Sequence, residues 1–219
     1  MSQSREEPAQ QGPPADLEGF PTHRLGADTT VHRAHLAANG PWWFGSQGGR
    51  FDLDRPRGTC YLATSAIAAV RERLGPVLAR RATLPATVLD GVVVSRLRVG
   101  ADAGAGGGTG ARLANLRSSR AALFAVTREL ESMTPYDVPR AWARAFHGLG
   151  LDGIRYGPRF SPGGASAVAL FGFAGEDRSR PVDPDPLPAA SLTRSPTLVR
   201  IPRRGDLSVI EPPRRGRPR

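Results

Sequence analysis

The chain has 219 residues, 39% of them hydrophobic and 23% charged, which suffices for one domain with a sizeable core plus tails. No apolar run approaches the ~18 residues of a membrane span, and the opening MSQSREEPAQQGPPADLEG has no basic segment followed by an apolar one, so neither span nor secretory signal is expected and the expected location is cytoplasmic. The net charge of +10 rests on arginine alone, with no lysine, and the single cysteine, Cys60, excludes an internal disulfide and a cysteine-rich metal site.

The lysine-free composition fits GC-rich codon usage as well as selection for function. Arginine nonetheless binds phosphate through a planar two-pronged donor, so a phosphate-bearing ligand is a reasonable expectation. Residues 1–22, rich in Gln, Glu and Pro, read as a disordered leader. TTVHRAH, from Thr29, alternates as a strand should, placing Arg33 and His35 on one face and His32 on the other. A turn-rich loop with Trp42 and Trp43 follows. Gly49 to Phe51 and Thr59 to Ala63 read as short strands. Thr64 or Ser65 can cap a helix whose inward residues are Ile67, Val70 and Leu74 and whose stop is Gly75-Pro76.

ATVLDGVVVSRLRV, from Ala86, is β-branched and broken at Asp90-Gly91, which predicts strand structure. The glycine tract at 100–111 lacks a Gly-Lys-Ser/Thr ending and reads as a flexible surface insertion, not a phosphate loop. Periodicity predicts helices from Ser119 to Glu131, with Leu123, Val126 and Leu130 inward, and from Val138 to Leu149, with Trp142, Phe146 and Leu149 inward. Leu151 to Tyr156 and Ala165 to Phe173 read as core strands. PTLVRIP and LSVIEP each suit a short edge strand, and residues 212–219 form a basic tail. That tail lacks a recognition helix or interleaved aromatics, so nucleic acid is not an expected partner.

The pattern is α+β. Within it, VHRAH, GGRFD, GTCYLATS and AAVRERLG, followed later by LDGIRYGPRFSPGGASAVALFG, occur in an order that resembles the RES domain family across most of residues 29–174. The resemblance implies an ADP-ribosyltransferase-like split β-sheet core with surrounding helices, occupying residues 23–211. It also implies cleavage of NAD at the nicotinamide-ribose bond by a toxin-like enzyme, with inorganic phosphate as co-substrate or water as acceptor and no separate cofactor. A helix-turn-helix (Xre-type) antitoxin is an implied partner, and a homodimer is compatible with it. By position, Arg33 and Arg50 match the family's active-site arginines, Tyr61 its tyrosine and Glu72 its glutamate. Tyr156, Arg159 and Ser161 fall in the stretch that carries the family's serine. The serine position itself holds Pro158, which has neither hydroxyl nor N–H, leaving Ser161 as the nearest stand-in.

These residues suit the implied chemistry. Departure of nicotinamide builds positive charge on the ribose, which a carboxylate stabilises, while cations fix the diphosphate. The expected catalytic set is therefore Arg33, Arg50 and Glu72. The expected substrate-binding set is Arg33, Arg50, Tyr61, Tyr156, Arg159 and Ser161. Tyr61 suits core filling as well as stacking on a ligand ring, and His32, His35 and His147 suit structural hydrogen bonding. Two other readings stay open: transfer of ADP-ribose to a macromolecule, and a RES-like protein that binds without turnover because of Pro158.

Overall fold

The computed structural model describes residues 10–78, 84–100, 110–161, 163–192 and 198–199. Its frame is an eight-stranded mixed sheet. In chain order the strands are β1 (Thr22–Leu25), β2 (Thr30–Leu36), β3 (Trp43–Phe44), β4 (Arg57–Ala63), β5 (Leu84–Pro85), β6 (Val92–Arg98), β7 (Ala111–Asn115), β8 (Gly153–Tyr156), β9 (Ala167–Phe173), β10 (Gly175–Glu176), β11 (Leu187–Pro188) and β12 (Leu198–Val199). The helices are α1 (Ala66–Leu78), α2 (Asp137–Gly148) and α3 (Ala189–Leu192). The large sheet runs β1-β7-β8-β9-β4-β2-β6-β11; β3 pairs with β10, and β5 with β12.

Pairing is continuous on both sides of one seam. β4 pairs with β9 from Arg57–Phe173 to Ala63–Ala167, and β2 pairs with β6 along its whole length. Between β2 and β4 the register holds a single pair, His32 with Ala63. The sheet is thus split there apart from that one pair.

β9 reads AVALFGF with its first five residues buried, as a central strand covered on both faces must be. Strand alternation sorts the core into layers. Cys60, Leu62, Val168 and Leu170 share one face with Val31, Trp42 and Phe44. On the opposite face two separate clusters form. α2 brings Trp142 and Phe146 onto Ile154, Ala169 and Phe171, whereas α1 brings Ala68, Val70 and Leu74 onto Ala63, Val92 and Val94. The space between those clusters is where a ligand can enter.

Several expectations are corrected. Residues 10–20 are not a disordered leader. Leu17 and Phe20 are buried, Phe20 sits against Phe124, Trp142 and Phe146, and Gln10 bonds Thr127 and Ala125. Residues 1–9 lie outside the described set. Gly49 to Phe51 form a turn and not a strand. α1 runs on through Gly75-Pro76, and Ile67 is 57% exposed, its place on the buried face taken by Ala68 and Ala69. Ser65 does cap the helix, its Oγ accepting from Ala68 N at 3.2 Å.

The helix expected from Ser119 to Glu131 is two short 3-10 turns, Ser119–Phe124 and Arg128–Glu131, each capped by the hydroxyl before it. Leu123 faces solvent at 79% exposure. Leu149 is also exposed, one step past the end of α2. The glycine insertion is shorter than expected at its far end, since Ala111 opens β7, a strand paired with both β1 and β8. Residues 101–109 lie outside the described set, as do LSVIEP and the basic tail. Of the two edge strands expected near the end, PTLVRIP contains β12.

Candidate active site

A cavity of about 700 Å³ opens at the split. Its sheet side carries His32, Tyr61, Ala63 and Tyr156, α1 contributes Ala69 and Glu72, and Arg50, Tyr136 and Phe160 complete the lining. Small residues on α1 leave the room. Of the residues expected to form a site, Arg50, Tyr61, Glu72, Tyr156 and Arg159 line this cavity; Arg33 only borders it, its guanidinium committed to the other face of β2, and Ser161 does not reach it. Ser161 lies behind the 157–160 loop, lining a different cavity with Pro158. The loop does not fold back to deliver its hydroxyl, because Phe160 pins it to α1.

That pin has three parts. Phe160 N donates to Glu72 Oε1 at 2.7 Å, Arg71 Nε donates to Phe160 O at 2.8 Å, and the Phe160 ring lies where Gly75 has no side chain. Gly75 is therefore a docking point for a ring and not a helix stop. Burial raises the Glu72 carboxyl above its ordinary range, against the downward pull of the Phe160 and Arg159 amides and of the Arg50 charge. Tyr156 lies buried in the same cavity, its hydroxyl pushed upward by burial and by the Glu72 charge.

Arg50 is held by a turn built around a carboxylate. Asp52 Oδ2 accepts from Gly48 N and Gly49 N at 2.9 and 2.7 Å, and its Oδ1 accepts from the Tyr61 hydroxyl at 2.8 Å. The same Tyr61 oxygen accepts from Phe51 N at 2.8 Å. Arg140 of α2 adds bonds to Gly49 O and Gln47 O. A side chain at Gly49 would collide with Tyr61 and Asp52, so the turn requires glycine there. The result places the Arg50 guanidinium 5.2 Å from the Tyr136 ring centroid and leaves Arg50 Nε buried without a partner among the described residues. Tyr61 thus spends its hydroxyl on shaping this turn. Burial and the Asp52 charge hold that hydroxyl well above its ordinary titration range, so it stays protonated.

Arg33 sits at the seam, facing away from Glu72. Its Nη1 donates to Pro41 O, Trp43 O and Cys60 Sγ at 2.6, 2.8 and 2.7 Å, tying β2 to the β3 loop. His35, on the same face, is a buried structural imidazole that bonds Ser95 Oγ and the Leu36 and Asn39 carbonyls. The alternation of β2 was legible; which face meets the cleft was not, and it is the face of His32. His32 Nδ1 is buried and unpartnered among the described residues. Burial holds this imidazole below its ordinary range, against the pull of the Ala63 backbone. Trp42 anchors its loop through Nε1 to Pro181 O, while Trp43 is exposed.

Sequence reasoning missed Asp52, Tyr136 and Phe160. Asp52 carried a signal, since a carboxylate a few residues after paired glycines can collect their amides. Among the described residues no cluster of His, Cys, Asp or Glu has the makings of a metal site, and no helix is long and apolar enough to cross a membrane.

These features define an α+β domain with a split sheet and a cleft that pairs a half-buried carboxylate with a fixed arginine. The RES domain model matches residues 29–193, and the chain belongs to that family. No curated protein matches the chain. Among solved structures it is similar to a chain of the M. tuberculosis MbcT-MbcA toxin-antitoxin complex, with a TM-score of 0.56 and 16% identity over 78% of this chain and 88% of that one.

Proposed function

We propose that this protein cleaves NAD at the bond between nicotinamide and ribose, passing ADP-ribose to inorganic phosphate or water, and that it acts as the toxin-like member of a pair with a helix-turn-helix antitoxin. The observation that carries the reading is the pairing, across one cleft at the sheet split, of half-buried Glu72 with an Arg50 whose buried Nε lacks a partner among the described residues. Such a donor is an unmet requirement that an anionic ligand can meet. The antitoxin rests on the family and on the assembly of the similar M. tuberculosis chain. A cytoplasmic setting and a homodimer belong to the same reading.

In this reaction the bond from ribose C1 to the pyridinium nitrogen breaks and its electron pair leaves with nicotinamide, which becomes neutral. The ribose acquires oxocarbenium character, and Glu72 as carboxylate stabilises it. Arg50 holds the diphosphate, and Tyr136, already against its guanidinium, limits where that charge sits. An oxygen of phosphate then bonds to C1, giving ADP-ribose 1-phosphate; with water as acceptor a proton is lost to solvent. Arg33 and Tyr61 act as positioning residues, holding β2 to the β3 loop and Arg50 in its turn. Tyr156 and Arg159 are assigned to substrate binding.

A second reading has its own observation. Pro158 stands where the family's serine is expected and is buried against the second cavity, with no hydroxyl to offer. A binding protein without turnover would show NAD binding and no product, and gain of activity in Pro158→Ser would favour it. The test is product identity by mass spectrometry after incubation with NAD and phosphate. ADP-ribose 1-phosphate or ADP-ribose supports the proposal, while label retained on protein or nucleic acid would assign a macromolecular acceptor.

A further inference from the structure

Three buried side-chain polar atoms lack a hydrogen-bond partner among the described residues: His32 Nδ1, Arg50 Nε and Ser161 Oγ. Two belong to the cleft. The third does not. Ser161, 7% exposed, lines a separate cavity of about 330 Å³ together with Arg117, Arg128, Arg159, Glu131 and Gly157. Buried hydroxyls are paired as a rule, so one in a cavity wall that finds no partner among the described residues is open to a ligand.

The charges around it select the kind of partner. Glu131 is already satisfied, its Oε1 accepting from Gly157 N at 2.7 Å and its Oε2 from Arg128 Nη1 at 3.1 Å. Arg117 commits Nη1 to Ala165 O at 3.1 Å, and a guanidinium carries five N–H donors in all. With Arg128 paired to Glu131, the guanidinium groups of Arg117 and Arg159 and the Ser161 hydroxyl, which has no partner among the described residues, remain to meet an occupant. That donor-rich, net-positive lining suits a compact oxyanion with several acceptor oxygens, and the volume exceeds what one such group needs.

We propose that this cavity binds a tetrahedral phosphate, either inorganic phosphate or the terminal group of a small phosphate monoester. The site is distinct from the cleft but shares a wall with it. Arg159 lines both cavities, and the loop between them is held by Glu131 at Gly157 and by Glu72 at Phe160. An occupant at Ser161 therefore braces the loop whose amide bonds Glu72. The proposal does not depend on what the cleft turns over.

Isothermal titration at constant ionic strength tests it, with an Arg50→Ala background to remove a principal anion contact of the cleft and sulfate, phosphate and glycerol phosphate as probes. Saturable one-to-one binding is expected. Ser161→Ala should weaken it about tenfold or more, the loss usual for one hydrogen bond to a charged group, and Ser161→Leu, which puts an apolar side chain where the hydroxyl stands, should abolish it. Melting curves show whether each variant folds; should the leucine variant fail, the alanine variant decides. Glycerol phosphate binding more tightly than phosphate would assign a monoester, and the reverse would assign inorganic phosphate. Absence of saturable binding, or affinities unchanged in Ser161→Ala, would overturn the site.

Discussion

Tyr61→Phe removes one oxygen and keeps the ring, so it separates a hydroxyl that shapes the Arg50 turn from a ring that stacks on a ligand. In the folded chain that oxygen donates to Asp52 Oδ1 and accepts from Phe51 N, with Asp52 2% exposed and Phe51 fully buried. Its loss strands one buried acceptor and one buried donor. At about 1–3 kcal/mol for each unsatisfied group, the variant should lose roughly 2–6 kcal/mol. For a chain of this size, about 2–4 °C per kcal/mol puts the fall in melting temperature at roughly 4–24 °C. A loosened turn also misplaces Arg50, and displacement of an anchoring group by about 1 Å can lower turnover ~100-fold. Thermal melting and kcat/KM for NAD at a temperature where the variant is folded read the two effects. Wild-type melting and wild-type kcat/KM in Tyr61→Phe would refute the positioning role and return Tyr61 to stacking.

Three further outcomes follow from the same contacts. Glu72 has a raised carboxyl pKa, so the folded state binds its proton more tightly than the unfolded state, and the stability it contributes is present at low pH and lost as pH rises through the folded value. Glu72→Gln should accordingly gain melting temperature over wild type near neutral pH, with the gain shrinking towards pH 4, while activity is lost throughout; a gain that grows on acidification would contradict the sign. Gly75→Ala ordinarily favours a helix by about 0.5–1 kcal/mol, but here the methyl meets the Phe160 ring. Overpacking of about 1–3 kcal/mol should win, so calorimetry should show net destabilisation. Phe20→Ala should cost about 3–5 kcal/mol in denaturant titration, because Phe20 is packed against Phe124, Trp142 and Phe146; a neutral result would return residues 10–20 to a dispensable leader.

Strands β2, β4, β8 and β9 and helix α2 were readable because burial on one or both faces imposes a period on apolar residues. β7 was hidden, since ARLAN has little β-branched content and adjoins a glycine tract whose composition outweighs it. The 3-10 turns mimic helical spacing over a few residues, which is why Leu130 was assigned correctly and Leu123 was not. The N-terminal segment looks polar, yet two apolar side chains and one buried glutamine dock it. Motif order brought Arg50, Tyr61 and Glu72 to one cavity, but only the structure assigns the Tyr61 hydroxyl to Asp52 and turns Arg33 away from Glu72. A strand's alternation gives two faces without saying which one a distant helix will leave uncovered. Likewise the nearness of Ser161 to Pro158 in sequence says nothing of the Phe160 ring that keeps them out of the cleft.

Nicotinamide release from NAD by the purified protein tests the central claim most directly, measured with and without inorganic phosphate beside Arg50→Ala and Glu72→Ala. The account predicts release by the wild-type chain, enhanced by phosphate and lost in both variants. Release that persists in Glu72→Ala, or no release from the wild-type chain under either condition, would contradict it.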